Sequence, residues 1–173
     1  MPALQKKVCL LGDFAVGKTS LIRRYVEGKF EDKYLSTVGI NVSRRSIALQ
    51  HNSITLEMTM LTWDLAGGEK FDRMMSSYYR GATGAIIVCD LTRQETLEAI
   101  MRYANDFWSV NPNTPLVVVG NKADLVEACV ITAEDLTLTA KRCEAPYFVS
   151  SAKTGENVER IFDTLGYRIL AAD

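Results

Sequence analysis

The stretch Gly12-Asp-Phe-Ala-Val-Gly-Lys-Thr19 constrains this chain more than any other. It fits the pattern GxxxxGK[ST] and stands where that pattern has physical meaning. Before it runs Val8-Cys-Leu-Leu11, which reads as a strand buried on both faces; after it Leu21, Ile22 and Tyr25 recur at helical spacing. A strand turning sharply into a helix aims successive backbone N–H groups and the helix N-terminus at one spot, a concave anion site. Gly12 and Gly17 permit the turn and close approach to phosphate, and Asp13, Phe14, Ala15, Val16 and Ser20 complete the loop and the helix start. Lys18 is expected to reach the β- and γ-phosphates of a nucleoside triphosphate, and the Thr19 hydroxyl to ligate Mg²⁺. The loop does not choose the base.

The remaining pattern is that of an α/β fold. Val42–Gln50 and Ile54–Asp64 flank the turn signal His51-Asn52-Ser53 and predict a hairpin, with Ile54, Leu56, Met58 and Met60 alternating with polar residues along the second strand. Ala85–Cys89, Leu116–Gly120 and Pro146–Ser150 read as further strands. Thr92-Arg-Gln-Glu95 has capping-box form ahead of a helix whose inner face carries Leu97, Ile100, Met101, Ala104, Phe107 and Trp108. Thr132 opens another helix, and Val158, Ile161, Phe162, Leu165 and Ile169 mark a last one. Buried strands alternating with amphipathic helices predict a mainly parallel sheet with one antiparallel edge strand, and ligands in such folds sit beyond the carboxyl ends of the strands. The 173 residues are expected to form a single domain, 1–173.

Two further motifs follow strand ends. In Asn121-Lys-Ala-Asp124 the Asp124 carboxylate suits guanine, accepting from both N1–H and the exocyclic amine; adenine offers neither donor there. Asn121 either bonds the purine edge or ties neighbouring loops together, the Lys122 stem covers one face of the base, and Ser151-Ala152-Lys153 offers a backbone N–H to the guanine carbonyl. Asp64 begins Asp64-Leu-Ala-Gly67, where a carboxylate can hold water on Mg²⁺ and the Gly67 N–H can approach a γ-phosphate.

GDFAVGKTS, WDLAGGEKF, NKAD and SAK, in this order and spacing, resemble the Ras superfamily of small GTPases, and Ser77-Tyr-Tyr-Arg-Gly-Ala82 with Trp63-Asp64 resembles the Rab branch; a prokaryotic Ras-like relative is the other source of such a chain. The resemblance runs from about Lys6 to Leu170. It implies a P-loop NTPase with a six-stranded sheet and five helices, cycling between GDP and GTP with Mg²⁺. Tyr34 to Gly39 resembles switch I, with Tyr34 beside the nucleotide, Thr37 matching the threonine that ligates Mg²⁺ in the GTP state, and Phe30 matching the aromatic beside the guanine. Gly67 to about Tyr79 resembles switch II. Effector, exchange factor and activating proteins are then expected to dock on 34–42 and 64–80, ordered by the γ-phosphate and released on hydrolysis.

Two departures matter. The family places Gln after DxxG; here Gly68 stands there and has no side chain to orient the attacking water. A flexible loop residue without consequence is the plainer alternative. Phe14 occupies a loop position where the family carries a small residue: it either crowds the γ-phosphate and an incoming arginine, or points outward onto switch II. These predict a GTPase of weak intrinsic activity in which Lys18, Thr37, Gly67 and Gly68 frame the chemistry, with a hydrolysis-deficient, GTP-loaded binding module as the alternative. Activators of the TBC class supply an arginine and a glutamine in trans, so loss of the Gln need not end turnover.

A net charge of −1 offers no electrostatic reason to bind nucleic acid. Cys9, Cys89, Cys129 and Cys143 form no CxxC pair and read as thiols of a reducing cytoplasm; no prenylation cysteine follows Leu170, and a monomer without a lipid anchor is expected. His51 reads as an exposed turn residue. The pairs Lys6-Lys7, Arg23-Arg24 and Arg44-Arg45 read as solvated faces, Met74 and Met75 with Tyr78 and Tyr79 as half core and half partner surface, and Trp108 as core.

Overall fold

The architecture is described from a computed structural model for residues 3–31, 39–67 and 76–173. In chain order the elements are β1 (Ala3–Leu11), α1 (Lys18–Glu27), β2 (Ile40–His51), β3 (Ile54–Leu65), β4 (Gly84–Asp90), α2 (Gln94–Glu98), α3 (Ile100–Val110), β5 (Leu116–Asn121), α4 (Ala133–Arg142), β6 (Tyr147–Val149) and α5 (Val158–Ala172). The six strands form one sheet in the order β2-β3-β1-β4-β5-β6. Five run parallel, and β2 is the antiparallel edge. The hairpin turn falls at Asn52 and Ser53, both with positive φ, 50° and 66°, as a two-residue turn between right-twisted strands requires.

Helices cover both faces. Val8, Leu10, Met58, Met60, Ile86, Val88, Val117 and Val119 pack under α1 and α5, where the Tyr25 ring stacks on Phe162 with centroids 3.8 Å apart. Cys9, Leu11, Ala85, Ile87, Cys89 and Val118 pack under α2, α3 and α4. All five predicted inner-face residues of α5 are buried. Burial pushes the Cys9 and Cys89 thiols up to about 12, so both stay protonated at neutral pH. Among the described residues no helix is long and apolar enough to cross a membrane.

Three local expectations are corrected. The alternation along β3 does not hold throughout: Ile54 is exposed, while Thr59 and Thr62 are buried. The β1 pairing reaches back along β3 only to Glu57, so Ile54 stands where β3 has β2 alone beside it, while the buried Thr62 donates its hydroxyl to the Ser43 carbonyl at 3.1 Å. Thr92 does not cap a helix. Its hydroxyl donates to Asp90 Oδ1 at 2.6 Å, α2 starts from Arg93 without a side-chain cap, and the helical run breaks at Ala99 into α2 and α3. The capping box lies instead at Thr132 and Asp135, the start of α4. Finally, Arg24 and Arg45 are half-buried and held by specific partners rather than simply solvated: Arg45 donates to the Tyr25 carbonyl at 2.6 Å, pairs with Glu159 and lies over the Tyr25 ring.

Candidate functional site

The strand ends β1, β3, β4, β5 and β6 deliver their loops to one edge of the sheet, around a cleft of about 330 Å³. Of the residues singled out from sequence, Phe14, Ala15, Gly17, Lys18, Thr19, Ser20, Phe30, Gly67, Asn121, Lys122, Asp124, Ala152 and Lys153 line it. Gly12, Asp13, Val16, Asp64 and Ser151 stand behind this lining as supports. Tyr34, Thr37 and Gly68 lie outside the described residues, as do Met74 and Met75.

The loop 12–19 is held from several sides. Gly12 turns with φ 144°, and a Cβ there would meet the Val88 carbonyl oxygen at 2.3 Å; at Gly17, φ 105°, a Cβ would stand 2.2 Å from Asn121 Nδ2. Lys18, buried, donates to the carbonyls of Gly12 at 2.8 Å and Asp13 at 3.0 Å, which aims its charge along the inside of the loop. On the outer side the Tyr103 hydroxyl donates to Asp13 Oδ1 at 3.0 Å, and Arg93 donates to the Phe14 carbonyl at 2.7 Å. The Phe14 ring itself stands at the cleft, 49% exposed. Gly67 approaches so closely that a Cβ would sit 2.9 Å from Lys18 Nζ and 2.2 Å from the Gly12 carbonyl oxygen.

Thr19 Oγ1 donates to Asp64 Oδ2 at 2.5 Å. A hydroxyl and a carboxylate in contact are hard oxygen donors in the small number that Mg²⁺ takes from protein while keeping water and phosphate as its other ligands. The residues present therefore fit that ion. Among the described residues there is no cluster of three or more His, Cys, Asp or Glu that would hold another metal.

The far end of the cleft is built by β5 and β6. Asn121 is buried: its Nδ2 donates to the Val16 carbonyl at 3.1 Å, and its Oδ1 accepts from Ser150 Oγ at 3.1 Å and the Ala152 N–H at 3.3 Å. Of the two roles open to it from sequence, these bonds are those of a tie between three loops. Lys122 donates to the Ala15 carbonyl at 2.7 Å and pairs with Asp90 at 2.8 Å, so its stem lies along the cleft. Asp124 Oδ1 accepts from Ser151 Oγ at 2.7 Å.

Sequence reading missed Asp90, Arg93 and Arg24. Asp90 is buried and takes Lys122, Arg93 and Thr92 on its two oxygens. Burial by itself would raise its pKa; the hydrogen bonds from Lys122 and Thr92 outweigh burial and hold the carboxyl below its ordinary value. A carboxyl depressed on folding contributes stability that is present above its unfolded pKa and lost as pH falls through the folded value. Asp90→Asn should therefore lose stability at pH 7 and show a shallower fall towards pH 3 than wild type, read as urea midpoints across that range; parallel curves would dismiss the linkage. Arg24 donates to carbonyls of residues 152 and 153, which only the folded chain brings near.

A sequence model of the Ras family matches residues 7–171. The Ras-related protein SEC4 of Saccharomyces cerevisiae is 37% identical over 92% of this chain and 72% of its own length. The Ras-related protein RABA4a of Arabidopsis thaliana is 34% identical over 92% of this chain and 69% of its own. The Ras-related protein Rab5A of Oryza sativa is 34% identical over 95% of this chain and 79% of its own.

Proposed function

The chain belongs to the Ras family, and on that premise we propose that it is a Rab-like switch that binds GDP and GTP in this cleft and hydrolyses GTP slowly by itself. The observation that carries the reading is the placement of Lys18, the Thr19–Asp64 pair and the Ser151-held Asp124 around one cleft. Thr19 and Asp64 would hold Mg²⁺, joined by Thr37 in the GTP state; the ion would offset charge on the β- and γ-phosphates. Lys18 and the amides of the loop stabilise the same charge, and Asp124 reads the base. Water is the nucleophile, and Gly68 offers no side chain to orient it. Phe14 lines the cleft with its ring half exposed, where it would crowd the route of an arginine supplied in trans. Partners would dock on 34–42 and 64–80; of the described residues there, Val42 and Tyr78 are exposed apolar side chains. The protein would act as a monomer in the cytoplasm.

Gly68 and Phe14 also favour a second reading, a binding module that stays loaded with GTP. The two separate when protein purified without added nucleotide is denatured and its ligand identified by chromatography. GDP is expected, with turnover slow but finite. GTP alone would select the loaded module, and bound ATP, or competition by ATP against labelled GDP, would overturn both.

A further inference from the structure

Arg23 and Arg24 are adjacent on α1 yet do different things. Arg23 stands at the cleft rim, half-buried, and pairs with Glu27 and Glu31. Arg24 spends its donors on backbone: Nε on the Ala152 carbonyl at 2.8 Å, one terminal nitrogen on the Lys153 carbonyl, the other on the Gly28 carbonyl at 3.2 Å. Gly155, with φ 87°, turns under the guanidinium, its Cβ position 3.8 Å from Nε. Arg24 is absent from the cleft lining, whereas Ala152 and Lys153 belong to it.

The consequence runs through peptide planes. Among the described residues the peptide bonds are trans, so a carbonyl drawn towards the guanidinium sends the next N–H the opposite way. Fixing the Lys153 carbonyl turns the Thr154 N–H away from Arg24, and it donates to Ser151 Oγ at 3.1 Å. That hydroxyl, with an acceptor lone pair so occupied, directs its own proton to Asp124 Oδ1 at 2.7 Å. Fixing the Ala152 carbonyl likewise turns the Lys153 N–H away from the guanidinium. The bond to Gly28, the αL residue that ends α1, ties in the segment leading to Phe30, another lining residue.

We propose that Arg24 is a positioning residue for base recognition: it orients the 152–154 turn, and through Ser151 the Asp124 carboxylate, and so sets how long a guanine nucleotide is retained. This rests on the guanine reading of the cleft given above.

The test uses the full chain loaded with fluorescent GDP or with fluorescent IDP, whose base lacks the exocyclic amine that Asp124 would accept from. Release is chased with excess unlabelled GDP for wild type, Arg24→Ala, Arg24→Lys, Ser151→Ala and the Arg24→Ala/Ser151→Ala double variant. Loss of charge-assisted bonds predicts GDP release about tenfold faster in Arg24→Ala, with IDP release changed much less, so that discrimination between the bases narrows. Arg24→Lys, keeping the charge but not the fork, should fall between, and Ser151→Ala should narrow discrimination with no further loss in the double variant. GDP release within about twofold of wild type, or equal acceleration for GDP and IDP, overturns the proposal. Should Arg24→Ala not fold, the same ratio in Arg24→Lys decides it. Wild type that retains neither nucleotide overturns the guanine reading itself, and this inference with it.

Discussion

Asp124→Asn should lower affinity for GDP by about 10³-fold or more and turn the preference towards xanthosine diphosphate. Asp124 sits at the cleft with Oδ1 already accepting from Ser151, and an ionised carboxylate still has lone pairs for two more donors. Guanine presents two, N1–H and the exocyclic amine, on one edge. The amide of Asn keeps one acceptor and replaces the other with a donor, so one guanine donor faces another donor in a partly enclosed site. That arrangement costs more than a lost bond, since a polar group is left without a partner. Xanthine carries a carbonyl where guanine carries the amine, and the new amide donor suits it. Competition of GDP and xanthosine diphosphate against a fluorescent diphosphate measures both effects. A variant that still prefers GDP by the wild-type margin would remove Asp124 from the base and leave the cleft's specificity unexplained.

What was legible in the sequence follows from what is local. The loop 12–19 was readable because a phosphate cradle is made by eight consecutive residues and by glycines whose Cβ would strike a carbonyl or an amide. The α5 face was readable because its period is its own. Asn121 was readable as a site residue but not in its role, which depends on the Val16, Ser150 and Ala152 groups that surround it. Thr92 and Thr132 carry nearly the same capping signal. One is drawn off by the Asp90 carboxylate at a strand end, and the other has no such competitor, so the pattern alone could not separate them. Arg24 and Arg45 read as surface cations because their partners are backbone carbonyls and an aromatic ring, which no charge pattern announces. Positions 34, 37 and 68 were named from the resemblance and lie outside the described residues.

Gly68→Gln should raise the intrinsic rate of GTP hydrolysis by about 10²-fold in a single turnover, with affinity for GTP nearly unchanged. Among the described residues Lys18 is held by the loop carbonyls, Thr19 and Asp64 are in contact, and Gly67 comes within reach of the loop. On the proposed reading these groups act on phosphate charge and on the ion. None of them is placed to orient water. A Gln adds a group that matters only as water attacks, so it should appear in the rate and not in binding. The separation of rate from affinity makes the assignment testable: a rise in rate with a matching change in affinity would signal a rearranged cleft, and no rise at all would show that Gly68 is not the deficit. Phe14→Gly in the Gly68→Gln background then isolates the ring at the cleft mouth. If Phe14 obstructs a trans-acting arginine, that second change should leave the intrinsic rate alone and increase only the response to an activator, an effect worth up to about 10³–10⁵ where an arginine finger is used. Were the intrinsic rate to rise with Phe14→Gly alone, the ring would be crowding the phosphate itself, and the slow turnover would belong to position 14 before position 68.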